Sequence, residues 1–159
     1  MPSFSDVEQA APGLAAEVLR RLDAHVHKTL ATLRADGSPR IAGTETRLVD
    51  GELHLGAMWQ SRKARDLQRD ARFALHSGSD DPQAWTGDAK LAGVVAEVAE
   101  AAEAALVTAV LGADARPGPS YLVRLDLREV SVVHLVDDGA AIAIDVWTPA
   151  GGLRTIRPE

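Results

Sequence analysis

The dipeptide Asp50-Gly51 lies between two strand-like segments, and it constrains this chain more than any other feature. A two-residue hairpin loop needs positive φ at both central positions, which Asp and Gly adopt at low cost. The flanking segments, Arg40 to Val49 and Glu52 to Met58, therefore read as antiparallel strands of defined register. Val49 faces Glu52, Leu48 faces Leu53 and Thr46 faces Leu55. Continued without a bulge, the pairing sets Thr44 opposite Ala57 and Arg40 opposite Ser61.

The rest of the chain is read by the same periodicities. Pro12 to Asp23 carries Leu14, Val18, Leu19 and Leu22 at helical spacing, with Pro12 suited to a first turn. Thr29 to Leu33 is strand-like, and Ala35 to Pro39 is a turn around Gly37. Ser61 to Asp70 is a short helix with Ser61 as its N-cap. Arg72 to Ser77 and Lys90 to Val98 are strands on either side of a loop, Ser77 to Asp88, rich in Gly, Asp and Pro. Glu100 to Leu111 reads as a helix and "GADARPGPS" as a loop. Ser120 to Val136 alternates cleanly, and Ala140 to Trp147 and Leu153 to Ile156 are strands around a "TPAGG" turn. Roughly six or seven antiparallel strands with about three helices indicate an α+β, mainly β domain built as a closed or half-closed barrel.

Composition narrows the function. Lys plus Arg number 17 against 23 Asp plus Glu, a net charge of −6 at pH 7. No nucleic-acid or membrane-surface partner is expected of such a chain, because both need a basic field. With 46% hydrophobic but only 4% aromatic residues, Val, Leu and Ala must fill the core. The absence of cysteine removes disulfides, thiol catalysis and thiolate metal sites. Glu97, Glu100 and Glu103 interrupt the most apolar stretch, and the N-terminus has neither the basic nor the apolar region of a secretory signal, so a cytoplasmic protein is expected. His25, His27, His54, His76 and His134 stand alone or in pairs without metal-ligand spacing, and no metal is expected.

Against that acidic balance, "SRKAR" crowds positive charge where a strand turns into a helix. A helix N-terminus offers unpaired backbone N–H groups and the positive end of its dipole. Ser61 adds a hydroxyl, Lys63 and Arg62 full charges, and Arg40, by the hairpin register, a forked donor. Together they make a seat for a phosphate. The alternative is a solvated helix face, since Arg62 and Asp66, or Asp66 and Arg69, are spaced for ordinary surface pairs.

Residues 36 to 75, "DGSPRIAGTETRLVDGELHLGAMWQSRKARDLQRDARFAL", resemble the pyridoxamine 5′-phosphate oxidase-like family of split β-barrel flavoproteins. The shared order is a DG-x-P turn, a hairpin, SRKA opening a helix, a leucine, D-x-R and a strand, and it continues weakly through "GDAKLAGVVAEV". The resemblance implies one split-barrel flavin-binding domain over residues 1–159, with the N-terminal helix of residues 1–25 packed on the barrel. It also implies a homodimer sharing FMN, or the deazaflavin coenzyme F-420, at its interface, and turnover of a small-molecule substrate. The family's phosphate-holding positions fall on Arg40, Ser61 and Lys63, with Arg62 nearby; its ring-facing strand falls on Gly56, Ala57 and Met58. Trp147 stands near the C-terminus, where the family closes over the cofactor.

The chain departs from the family at several points. A lysine five residues after the strand arginine is Glu45 here, a ring-contacting threonine is Ala57, and a later-strand glutamine is Asp88. The C-terminal arginine-histidine motif is missing from "TPAGGLRTIRPE", which argues against vitamin B6 synthesis. The expected activity is that of a flavin-dependent oxidoreductase with no assigned catalytic side chain. The alternatives are a deazaflavin-dependent reductase and a flavin-binding protein without turnover.

Overall fold

A computed structural model describes residues 2–98, 106–110 and 120–158. The element order is α1 (Phe4–Ala10), α2 (Pro12–Asp23), β1 (Lys28–Leu33), β2 (Pro39–Thr44), β3 (Thr46–Val49), β4 (Glu52–Met58), α3 (Arg62–Arg69), β5 (Arg72–His76), β6 (Gly87–Glu97), β7 (Ser120–Val136), β8 (Ala141–Thr148) and β9 (Gly152–Ile156). Residues 106–110 are helical, while most of the expected 100–111 helix and of the following loop lies outside the described residues.

The strands form a nine-stranded antiparallel sheet whose main path runs β2-β1-β5-β6-β7-β4-β3, with β8 and β9 added on β7. Asp50 (φ 50°) and Gly51 (φ 77°) both take the left-handed conformation that the hairpin requires. The register around them is as expected, with Val49 on Glu52, Leu48 on Leu53 and Thr46 on Leu55.

Beyond Thr46 the expected register fails. The chain leaves the hairpin at Glu45, and β2 pairs with β1, so Arg40 faces Thr32 and Thr44 faces Lys28. Ala57 pairs with Tyr121 of β7 on the edge of β4 away from β3, and the expected pairing with Thr44 does not form. One residue, Glu45, thus joins the two ends of the sheet path, and the sheet curls without closing: an α+β split barrel. A hairpin register carries only as far as both strands share a sheet edge, and here the edge ends at Thr46.

The barrel interior holds Leu30, Leu53, Leu55, Leu75, Leu91, Leu125 and Leu127, in keeping with a low-aromatic composition. Two helices cover one opening. α1 is set by Ser3, which accepts from the Asp6 backbone N–H while the Asp6 carboxylate accepts from Ser3 N, and it inserts Phe4 and Val7. α2 inserts Leu14, Val18 and Leu22. Its buried Arg21 donates to Thr86 Oγ1 at 2.9 Å and to Thr86 O at 2.8 Å, fixing the helix to the start of β6. No helix among the described residues is long and apolar enough to cross a membrane.

Candidate functional site

The site residues read from the sequence, Trp147 apart, lie on β2, the end of β4 and the start of α3. β4 ends at Met58, and the chain turns through Trp59 and Gln60, with Ser61 N donating to Met58 O at 3.0 Å. Gln60 has φ 60°, a left-handed conformation that costs energy for a residue with a Cβ, so the sharpness of this turn is held by its surroundings. Ser61 then caps α3, its Oγ accepting from Ala64 N at 3.4 Å. α3 buries Ala64 and Leu67 and packs against β1 and β4.

Side chains of α3 also reach β2 across the split. Asp66 is 3% exposed and accepts from Thr32 Oγ1 at 2.9 Å, Arg40 Nε at 2.6 Å and Arg69 Nη2 at 3.0 Å. Burial alone would raise its pKa; the bonds from Arg40, Arg69 and Thr32 outweigh it and hold the carboxyl below the usual range. Lys63 Nζ donates to Gly43 O at 2.7 Å, satisfying a carbonyl on the edge strand β2. Burial pushes the Lys63 ammonium down, and Glu45 opposes that shift. Glu45 itself is exposed and pairs with Arg47 at 3.3 Å.

Arg40 therefore does reach the basic helix, though not by the expected route. It sits opposite Thr32, not Ser61, and is tied to α3 through Asp66. Its side chain is 18% exposed, and among the described residues only its Nε is engaged, leaving the two terminal nitrogens free to donate. Arg62 is exposed and makes no ion pair among the described residues. Gly56 is half-buried and Ala57 buried, while Met58 is 70% and Trp59 47% exposed. An apolar step and a cluster of donors thus adjoin at one turn.

Trp147 is not brought to this turn within the chain. It is buried in the hydrophobic core on β8, where it pairs with Val130 and Leu153. Met58 pairs with Ser120, at the other end of β7, about ten residues and roughly 30 Å of strand away. Asp88, matched to a family glutamine, is buried on β6, where its Oδ2 accepts from Ser79 Oγ and Trp85 Nε1 at 3.3 Å each.

No motif in the sequence marks Asp66 and Thr32 as neighbours of the basic turn, where the structure places them. On sequence Asp66 is one more charge on a charged helix, and its burial follows only from α3 packing on β1 and β4, with Arg40 of β2 reaching it. A faint signal was available: Asp66 lies between Ala64 and Leu67, the apolar positions of an otherwise polar helix.

No family description matches this sequence, and no curated protein matches it. Solved structures do match in fold. PhzG from Burkholderia lata, in complex with tetrahydrophenazine-1-carboxylic acid, is similar over 99% of this chain and 94% of that one, with a TM-score of 0.65 and 15% identity. A pyridoxamine 5′-phosphate oxidase-related, FMN-binding protein from Nostoc punctiforme is similar over 92% and 96%, with a TM-score of 0.62 and 14% identity. A heme binding protein from Mycobacterium smegmatis is similar over 89% of this chain, with a TM-score of 0.58 and 25% identity; the match spans 57% of that longer protein.

Proposed function

We propose that this chain, which has the fold of the pyridoxamine 5′-phosphate oxidase-like proteins, is an FMN-binding flavoprotein that works as an oxidoreductase on a small molecule. The observation that carries this is the adjacency at one turn of exposed Met58 and Trp59 with Ser61, Arg62 and Lys63. FMN has the same two-part chemistry, a flat apolar ring system and a phosphate. The residues present suit both parts. Ser61 Oγ, the spare donors of Lys63 and the terminal nitrogens of Arg40 suit the phosphate, and Met58 with Trp59 suits the ring. An anion seated beside Lys63 also offsets the burial that depresses its ammonium.

Bound there, the flavin would supply the hydride and electron chemistry, and the chain would bind it, orient it and exclude water. No side chain is assigned as acid or base. Met58 and Trp59 can cover only one side of a planar ring, so we take the working unit to be a homodimer whose second copy closes the other side.

A fluorescence titration tests the proposal. FMN should bind with salt-sensitive affinity and more tightly than riboflavin, which lacks the phosphate. Arg40→Ala and Lys63→Ala should each weaken FMN by about 1.5–3 kcal/mol, the range for a hydrogen bond to a charged group, or roughly tenfold to a hundredfold. Riboflavin binding should change far less. Equal affinity for FMN and riboflavin, or variants that bind FMN as the parent does, would remove the phosphate seat. Saturable binding of coenzyme F-420 without FMN binding would keep the seat and make the carrier a deazaflavin.

A further inference from the structure

Met58 combines three properties that make it more than a ring contact. It is 70% exposed, among the most exposed large apolar side chains of the described residues, with only Ile41 higher at 75%. It is one of two methionines in the chain, the other being Met1. Its own carbonyl accepts from Ser61 N at 3.0 Å, so it anchors the turn that presents Ser61 and Lys63. A thioether is apolar, polarizable and suited to packing on an aromatic ring, and an exposed one is open to peroxide.

We propose that Met58 is an oxidation site that sets cofactor affinity; the inference rests on the flavin assignment above. Hydrogen peroxide transfers one oxygen atom to the thioether sulfur. The O–O bond breaks, the sulfur loses two electrons to become a sulfoxide, and water leaves. The product is polar where the ring needs an apolar surface. Methionine sulfoxide reduction restores the thioether, so the change is reversible.

The test uses the whole protein without cofactor and limiting hydrogen peroxide. Trypsin releases the peptide Leu48–Arg62, and fragmentation distinguishes an oxygen on Met58 from one on Trp59. The expected result is a sulfoxide on Met58, with FMN affinity reduced about five- to tenfold in proportion to it. Methionine sulfoxide reductase should restore the affinity. A Met58→Leu variant, whatever its starting affinity, should keep that affinity after the same treatment. Oxidation of Met58 that leaves FMN affinity unchanged overturns the inference. So does equal loss of affinity in Met58→Leu, or failure of Met58 to oxidise in the free protein. If the untreated protein binds no flavin, the cofactor assignment itself has failed; if it binds equally before and after Met58 oxidation, only the present inference has.

Discussion

Gly93→Ala should destabilise the protein by about 3 kcal/mol or more, a large part of the margin of a domain this size. Gly93 lies at the register shift between β6 and β7, where Ala92 pairs with Glu129 but Gly93 pairs with Leu127, leaving Arg128 as the extra residue of a bulge. A Cβ at Gly93 would lie 1.9 Å from Asp126 O, 3.0 Å from Asp126 C and 3.2 Å from Leu127 Cα. These are backbone atoms, so no rotamer change relieves the clash, and the two strands must move apart. β6 and β7 stand at the centre of the sheet, with β5 paired on one side and β4 and β8 on the other. Separating them loosens the whole barrel. Gly13→Ala is the matched control, because nothing lies within 4 Å of its Cβ and it sits in α2. There alanine should be neutral or stabilising by up to about 1 kcal/mol. Urea unfolding midpoints of the two variants measure the contrast. A Gly93→Ala protein within about 1 kcal/mol of the parent would mean that the bulge can rearrange without loss.

The local parts of this fold are legible in the sequence and the long-range ones are not. Asp50-Gly51 carries its own turn geometry, so the hairpin register can be read residue by residue as far as Thr46. β7 shows its alternation from Val123 to Arg128, and α2 shows its apolar stripe over Pro12–Asp23. The exchange of partners at Glu45 leaves no such mark. Arg40 to Val49 reads as one extended segment through it, because a strand that moves from one neighbour to another keeps its extended backbone. α1 shows no helical period in the sequence, because its seven residues bury only Phe4 and Val7; its Ser3/Asp6 cap is the readable sign. In the site, the charges of the basic turn were legible but their partners were not. Whether Asp66 meets water or Arg40 depends on which neighbour the strand of Arg40 pairs with, and that depends on the exchange at Glu45.

Asp66 ties β2 to α3 through Arg40, and Asp66→Ala should cost about 3 kcal/mol, at the lower end for breaking a buried ion pair. The lower end applies because Arg69 is 40% exposed and can turn to water, whereas Arg40, at 18%, and buried Thr32 keep less access. The substitution removes the acceptor of Thr32, Arg40 and Arg69 together, so β1, β2 and α3 lose a common tie. Acid should mimic it. The folded-state pKa of Asp66 is lowered, so its contribution is complete above the unfolded-state value near 3.8 and is lost as pH falls through the lower folded value. The parent should therefore lose stability below about pH 4, and Asp66→Asn, which has no proton to gain there, should show a shallower acid limb. Glu17, Asp6, Asp36 and Asp70 also have lowered pKa values, so the parent slope is shared and only the difference between parent and variant belongs to Asp66. Unfolding free energies of both proteins measured from pH 7 to pH 3 give that difference. Parallel curves would mean that Arg40 and Thr32 find other partners when the carboxylate is gone, and that α3 is held across the split by Lys63 and its apolar contacts alone.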